Sequence, residues 1–116
     1  MILVSNKPEY YVKKIIQHFN INHFFCAVSG GDTFKYRKPD PKHLYETIKL
    51  TGNKFSNCIF IGDSISDALC AKNSNSKLIL LKHGYSDIDI NSMKADIVLD
   101  DLKMIPYSVS KLKFDN

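Results

Sequence analysis

Short apolar runs alternate along this chain with stretches of helical period, and that alternation sets its organisation. Residues 1–4 are apolar and β-prone, and Ser5, Asn6, Lys7 and Pro8 end them with a cap and a proline suited to a first helical turn. The spacing then predicts a helix over residues 8–19. Val12, Ile15, Ile16 and Phe19 form its buried stripe, Lys13, Lys14 and Gln17 face water, and Asn20 closes it. Residues 24–28 read as a second strand. Ser29, Gly30, Gly31 and Asp32 follow as a flexible turn at which the backbone can approach something closely. A basic, proline-bearing loop covers residues 33–41 with its charge toward the active edge. A second helix covers 41–50 with Leu44, Tyr45, Ile48 and Thr51 inward, and Thr51, Gly52 and Asn53 stop it.

Residues 58–71, CIFIGDSISDALCA, concentrate the chemistry. The apolar run 58–61 is long enough for a buried parallel strand and too short for a helix. Gly62 breaks it. Asp63, Ser64 and Asp67 come next, with Ile65, Ala68, Leu69 and Ala71 at helical spacing, so the chain turns from strand to helix at the aspartates. Ligands bind at such strand ends in open α/β sheets, and two carboxylates four apart across a helix start can point at one hard cation. A capping arrangement, with Ser64 at the N-cap and Asp67 reaching back, accounts for the same residues without a metal. Beyond this stretch the pattern gives a polar turn over 73–77, a strand over 78–81, a loop over 82–85 and a short strand over 95–99. A weak helix in the tail is interrupted at Pro106. Strands and helices at these spacings need crossover connections. The expected fold is therefore α/β, a doubly wound Rossmann-like parallel sheet with helices on both faces, in one domain over residues 1–116.

Composition narrows the function classes. The chain has 116 residues, 44% apolar and 24% charged, which suits a globular core rather than a disordered tail. Sixteen basic against twelve acidic residues give a net charge of +4, a mild preference for anionic ligands. The basic residues are scattered and no aromatic-interleaved motif accompanies them, so no nucleic-acid partner is expected. Cys26, Cys58 and Cys70 lie in or beside apolar runs and read as reduced core residues. His18, His23, His43 and His83 have no metal-like spacing. With no signal-type core and no membrane-length apolar run, a cytoplasmic protein without a membrane partner is expected.

Three signals line up in order: an apolar strand ending in Ser5 and Asn6, Lys38-Pro39 opening a helix, and G-D-S-x-x-D at residues 62–67. Together they resemble motifs two, three and four of the haloacid dehalogenase superfamily of phosphohydrolases. The strings GGDTFKYRKPDPKHL and IFIGDSISDALCA are similar to its phosphoglycolate phosphatase branch. The resemblance implies Mg²⁺-dependent hydrolysis of a small phosphomonoester such as 2-phosphoglycolate. It also implies that Ser5 hydrogen-bonds the transferring phosphoryl group, with Asn6 beside it, and that Lys38 offsets charge on that group and on the nucleophile. Asp63 is then a Mg²⁺ ligand, and Asp67 holds the metal or its waters. Ser5 as only a helix cap and Lys38 as only a solvated loop charge are the plain competitors.

The family pattern begins with D-x-D-x-T on an apolar strand, whose first Asp is the nucleophile, and this sequence does not contain it. Asp87-Ile88-Asp89 is rejected as a substitute because it follows Gly84, Tyr85 and Ser86 and lies on the wrong side of the other motifs. Gly84 and Tyr85 themselves read as loop residues near the active edge. The family's helical cap is absent as well. The expected core is therefore incomplete, missing the nucleophile strand and the cap. The resemblance places that strand centrally, between the strand ending at Ser5 and the one ending at Asp63. Losing about five buried residues there at roughly 1.5–3 kcal/mol each forfeits on the order of 8–15 kcal/mol. That is comparable to a domain's whole net stability of about 5–15 kcal/mol. The chain alone is thus expected to be inactive and unstable unless a complementary N-terminal chain carrying the D-x-D motif and cap supplies the gap. Two other readings stand beside this one. The first is a non-catalytic remnant or interaction module of the same fold, and the second is a receiver-like signalling domain, which Ser5-Asn6 and Lys38-Pro39 fit poorly.

Overall fold

The computed structural model describes residues 1–82 and 89–114. The readings made for His83, Gly84, Tyr85, Asp87 and Ile88 lie outside the described residues. The elements run β1 (Ile2–Val4), α1 (Glu9–His18), β2 (Ala27–Ser29), α2 (Pro41–Lys49), β3 (Ile59–Gly62), α3 (Ile65–Asn73), β4 (Lys77–Leu81), β5 (Ile97–Leu99) and α4 (Ile105–Lys111). The chain forms two compact units, Met1–Phe55 and Ser56–Asn116. The strands are parallel, as the crossover spacing requires, and make two sheets ordered β1-β2 and β3-β4-β5.

In Met1–Phe55, α1 packs on β2 and α2 packs on both strands. Val12, Ile16, Ala27, Leu44 and Ile48 form the apolar core. The helix ends follow local chemistry. Asn20 takes a left-handed φ of 54° after α1, and Gly52, with φ 76°, follows α2. Asp40 caps α2 by accepting the Lys42 N–H, with Pro41 at the first helical position.

The start of α1 is solved differently. Pro8 stands at its N-cap and has no side-chain acceptor, so the carboxylate of Asp32, from the loop after β2, takes the Glu9 N–H at 2.7 Å. Asp32→Ala removes this acceptor and is expected to cost about 1 kcal/mol, as cap deletions do. The shift would be read in a urea titration followed through residues of α1.

Several positions depart from the sequence reading. Ile15 and Phe19 are 43% and 66% exposed, so the buried face of α1 narrows to Val12 and Ile16. The α2 face buries His43, Leu44, Thr47 and Ile48, whereas Tyr45 and Thr51 are half-buried. Residues Asn22–Phe24 form a 3₁₀ turn, and the second strand is only Ala27–Ser29. Cys26 is exposed and Cys58 half-buried; only Cys70 is a core thiol. Pro106 lies in the first turn of α4 and starts that helix instead of interrupting it, because the first-turn N–H groups need no intrahelical partner.

In Ser56–Asn116, β4 lies between β3 and β5, and Leu78, Ile79 and Leu80 are all buried, as expected of a central parallel strand covered on both faces. Asp96 pins the neighbouring register. Its carboxylate accepts the Leu78 N–H at 2.7 Å and pairs with Lys77 at 3.2 Å. Among the described residues no helix is long and apolar enough to cross a membrane.

Candidate active site

Ser5 and Asp63 each follow the carboxyl end of a parallel strand, β1 and β3 respectively, the edge at which ligands of α/β sheets bind. Ser5, Asn6 and Lys38 belong to Met1–Phe55, and Asp63 and Asp67 to Ser56–Asn116.

Within the first unit the structure brings the end of β1 and the Lys38 loop together. The Ser5 N–H donates to the Ser29 carbonyl at 3.0 Å, which extends the β1-β2 ladder by one residue. The Ser5 hydroxyl accepts the Lys7 N–H at 3.1 Å, a turn two residues short of α1, so Ser5 is not the helix cap. The side-chain amide of Asn6 donates to the Lys38 carbonyl at 2.8 Å. The Lys38 N–H donates to His43 Nδ1 at 3.2 Å. Both backbone groups of Lys38 are therefore held, one from the β1 end and one from α2. The Lys38–Pro39 peptide is cis.

Gly30 and Gly31, read as a turn that something approaches, are approached by the chain itself. A Cβ on Gly30 would run into the backbone of Lys7 and Glu9, and one on Gly31 into the backbone of Asn6. The Gly31 N–H donates to the Lys7 carbonyl at 2.8 Å, and the Gly30 N–H to Thr33 Oγ1 at 2.8 Å. This turn seats the segment carrying Ser5 and Asn6.

In the second unit the capping arrangement is present in full. Asp67 Oδ2 accepts the Asp63 N–H and the Ser64 N–H, each at 3.1 Å, and the Ser64 hydroxyl at 2.8 Å, while Ser64 and Asp67 form a capping box on α3. Asp67 is 5% exposed, whereas Asp63 is exposed. The two carboxylates thus have different tasks. Asp67 holds the backbone of the turn, and Asp63 presents its side chain outward from it. Gly62 makes this possible, since a Cβ there would overlap the Asp67 side chain.

Their oxygen donors suit a hard cation such as Mg²⁺ in kind. Among the described residues, no three His, Cys, Asp or Glu side chains gather as a metal site. The pair therefore fits Mg²⁺ in donor chemistry and supplies only part of a coordination shell. Burial pushes the Cys58 thiol above its usual range.

Sequence reasoning read Asp32 only as a turn residue and His43 only as lacking metal-like spacing, and it missed Thr47. His43 and Thr47 lie four apart beside Leu44 and Ile48, also four apart, so a polar pair flanking the apolar stripe was the available signal.

A profile described as haloacid dehalogenase-like hydrolase matches residues 1–81. The chain belongs to the haloacid dehalogenase-like hydrolase family. Among curated relatives it is 39% identical over 108 residues to a phosphoglycolate phosphatase of Pseudomonas fluorescens, covering 91% of this chain and 40% of that protein. It is 34% identical over 101 residues to one of Agrobacterium fabrum, covering 87% of this chain and 43% of that protein. The crystal structure of a predicted phosphoglycolate phosphatase from Haemophilus somnus superposes with a TM-score of 0.85 at 30% identity, covering 93% of this chain and 48% of that one. This haloacid dehalogenase-like chain thus spans about two-fifths of the length of these curated relatives. The structural likeness covers 93% of the chain, and each unit carries a parallel sheet with helices, as in Rossmann-like α/β folds.

Proposed function

We propose that this chain carries the phosphate-binding and metal-binding part of a Mg²⁺-dependent phosphomonoesterase acting on a small phosphorylated substrate such as 2-phosphoglycolate. The attacking aspartate is supplied by a complementary segment with a D-x-D-x-T strand. The observation that carries this reading is the stitching of Lys38 to the end of β1 through the Asn6 amide. A loop lysine read as a solvated charge needs no such anchorage, whereas phosphoryl transfer depends on fixed positive charge and hydrogen-bond donors.

Ser5 and Lys38 then do most of the work this chain contributes. The Ser5 oxygen already accepts the Lys7 N–H, so its own proton is the donor offered to a phosphoryl oxygen. The Lys38 ammonium offsets charge on the phosphoryl group and on the incoming carboxylate. Asp63 would hold Mg²⁺, with Asp67 fixing the turn and meeting waters around the ion. When bound, the metal neutralises developing negative charge on the phosphoryl oxygens.

The similarity of the chain to phosphoglycolate phosphatases supports reading its site as one for a small phosphomonoester. The test is reconstitution. Alone, the purified chain is expected to give no turnover of an aryl phosphate with Mg²⁺. Mixed with a polypeptide bearing the D-x-D-x-T strand and cap of a relative, it should gain hydrolysis that Asp63→Ala abolishes. Turnover by the isolated chain, lost in Asp63→Ala, would refute the need for a supplied nucleophile. Folded pieces that associate and yield no activity would favour a non-catalytic remnant.

A further inference from the structure

A buried polar cluster inside Met1–Phe55 stands behind the His43 contact to Lys38. Ser29, at the end of β2, and His43 and Thr47, on α2, are all fully buried. Their hydrogen bonds have only one consistent direction. The Thr47 hydroxyl donates to the His43 carbonyl at 2.7 Å, so its oxygen accepts the proton of Ser29 Oγ at 2.6 Å. Ser29 Oγ, having given its proton, accepts from His43 Nε2–H at 3.0 Å. Nδ1 is then the bare nitrogen of a neutral imidazole, and it takes the Lys38 N–H at 3.2 Å. Ser29 also holds Ser5, whose N–H donates to the Ser29 carbonyl.

We propose that His43 is a positioning residue for the phosphate site: its Nδ1 fixes the main chain of Lys38, and its bond to Ser29 ties that position to Ser5. The proposal rests on reading Ser5 and Lys38 as phosphate ligands. Its chemistry depends on the imidazole staying neutral, because a protonated Nδ1 would set one donor against another. Around the ring lie the Ser29 hydroxyl, the Gly30 carbonyl, the Lys38 N–H and the Phe34 ring, T-shaped to it at 6.1 Å between centroids, with the Lys38 charge close enough to act on it. Burial, and then the Lys38 charge, push the imidazole below the ordinary histidine range, against a smaller upward pull from the Gly30 carbonyl.

Nitrogen-15 spectra of the full chain test this without substrate. At neutral pH the His43 ring should be the Nε2–H tautomer. As pH falls through the titration of His43, the Lys38 amide resonance should move in the same transition and its protection factor drop by about tenfold or more. His43→Asn, whose Oδ1 can stand in for Nδ1, should keep the Lys38 amide protected and remove the transition. His43→Leu should lose the protection and weaken inorganic phosphate binding about tenfold, with His43→Asn restoring it. An Nδ1–H tautomer in the wild type, or a Lys38 amide indifferent to His43 titration and to both substitutions, overturns the proposal. A wild-type chain that binds no inorganic phosphate, while its Lys38 amide still follows His43, overturns the phosphate-ligand reading and leaves the link between the two residues standing.

Discussion

Gly30→Ala is expected to disrupt the Met1–Phe55 unit, destabilising it by about 3 kcal/mol or more. The added Cβ would meet Glu9 N, Glu9 Cα and Lys7 O, the last at 2.6 Å, and all three are main-chain atoms that cannot rotate away. Relief requires the loop after β2 to lift off the segment that enters α1. Two contacts go with it: the Gly31 N–H to the Lys7 carbonyl and the Glu9 N–H to Asp32. The placement of Ser5 and Asn6 fails together with the fold, since this loop is what seats them. Gly52→Ala is the control. Gly52 has φ 76° but nothing within 4 Å of a built Cβ, so only the left-handed backbone is penalised, by about 1 kcal/mol. Urea titrations followed through backbone amides of residues 1–55 should separate the two variants clearly. Equal midpoints would show that the close approach at Gly30 is not what holds the unit.

Gly62→Ala is expected to have the largest effect on the acidic turn. Its Cβ would overlap Asp67 Cβ and fall 2.6 Å from Asp67 Oδ2, so the whole Asp67 side chain and the start of α3 behind it must move away. The Asp63 N–H, the Ser64 N–H and the Ser64 hydroxyl would then lose their acceptor together. Loss of this cap should cost about 2 kcal/mol in α3, the upper end for a single cap, because three donors are orphaned at once. In a reconstituted phosphatase the displaced turn no longer aims Asp63, and Mg²⁺ affinity should fall about 10- to 100-fold, as for lost partners behind metal ligands. Ser64→Ala removes only one of the three donors and should cost about 1 kcal/mol. Thermal unfolding of the chain and a Mg²⁺ titration of reconstituted activity check the two arms. An unchanged Mg²⁺ dependence in Gly62→Ala would show that Asp67 does not set the position of Asp63.

How far each feature could be read in advance follows from the range of the interaction behind it. The carboxyl ends of α1 and α2 and the start of α2 at Pro41 were legible because Asn20, Gly52 and Pro41 act on their own neighbouring backbone. The strand-to-helix turn at 62–67 was legible for the same reason, and its capping arrangement, Ser64 at the N-cap with Asp67 reaching back, is the one the structure shows. The exposure of Ile15 and Phe19 was not legible, because periodicity defines an apolar face without saying how much of it finds a partner. Pro106 was misread since a proline that breaks a helix and one that begins it look alike until the first turn is located.

By itself, the sequence determined the parallel α/β order, the strand ends that carry Ser5 and Asp63, and the motifs that mark the family, since each is written in short windows of hydrophobic period and turn chemistry. Only the tertiary structure decided that Asp32 caps α1 from 23 positions away. It alone showed that Gly30 and Gly31 are pressed against the chain's own backbone, and that Ser29, His43 and Thr47 form a directed hydrogen-bond chain ending on Lys38. These are contacts between segments distant in sequence. Their partners are set by packing and by the need to satisfy every buried polar group, and no local pattern encodes that.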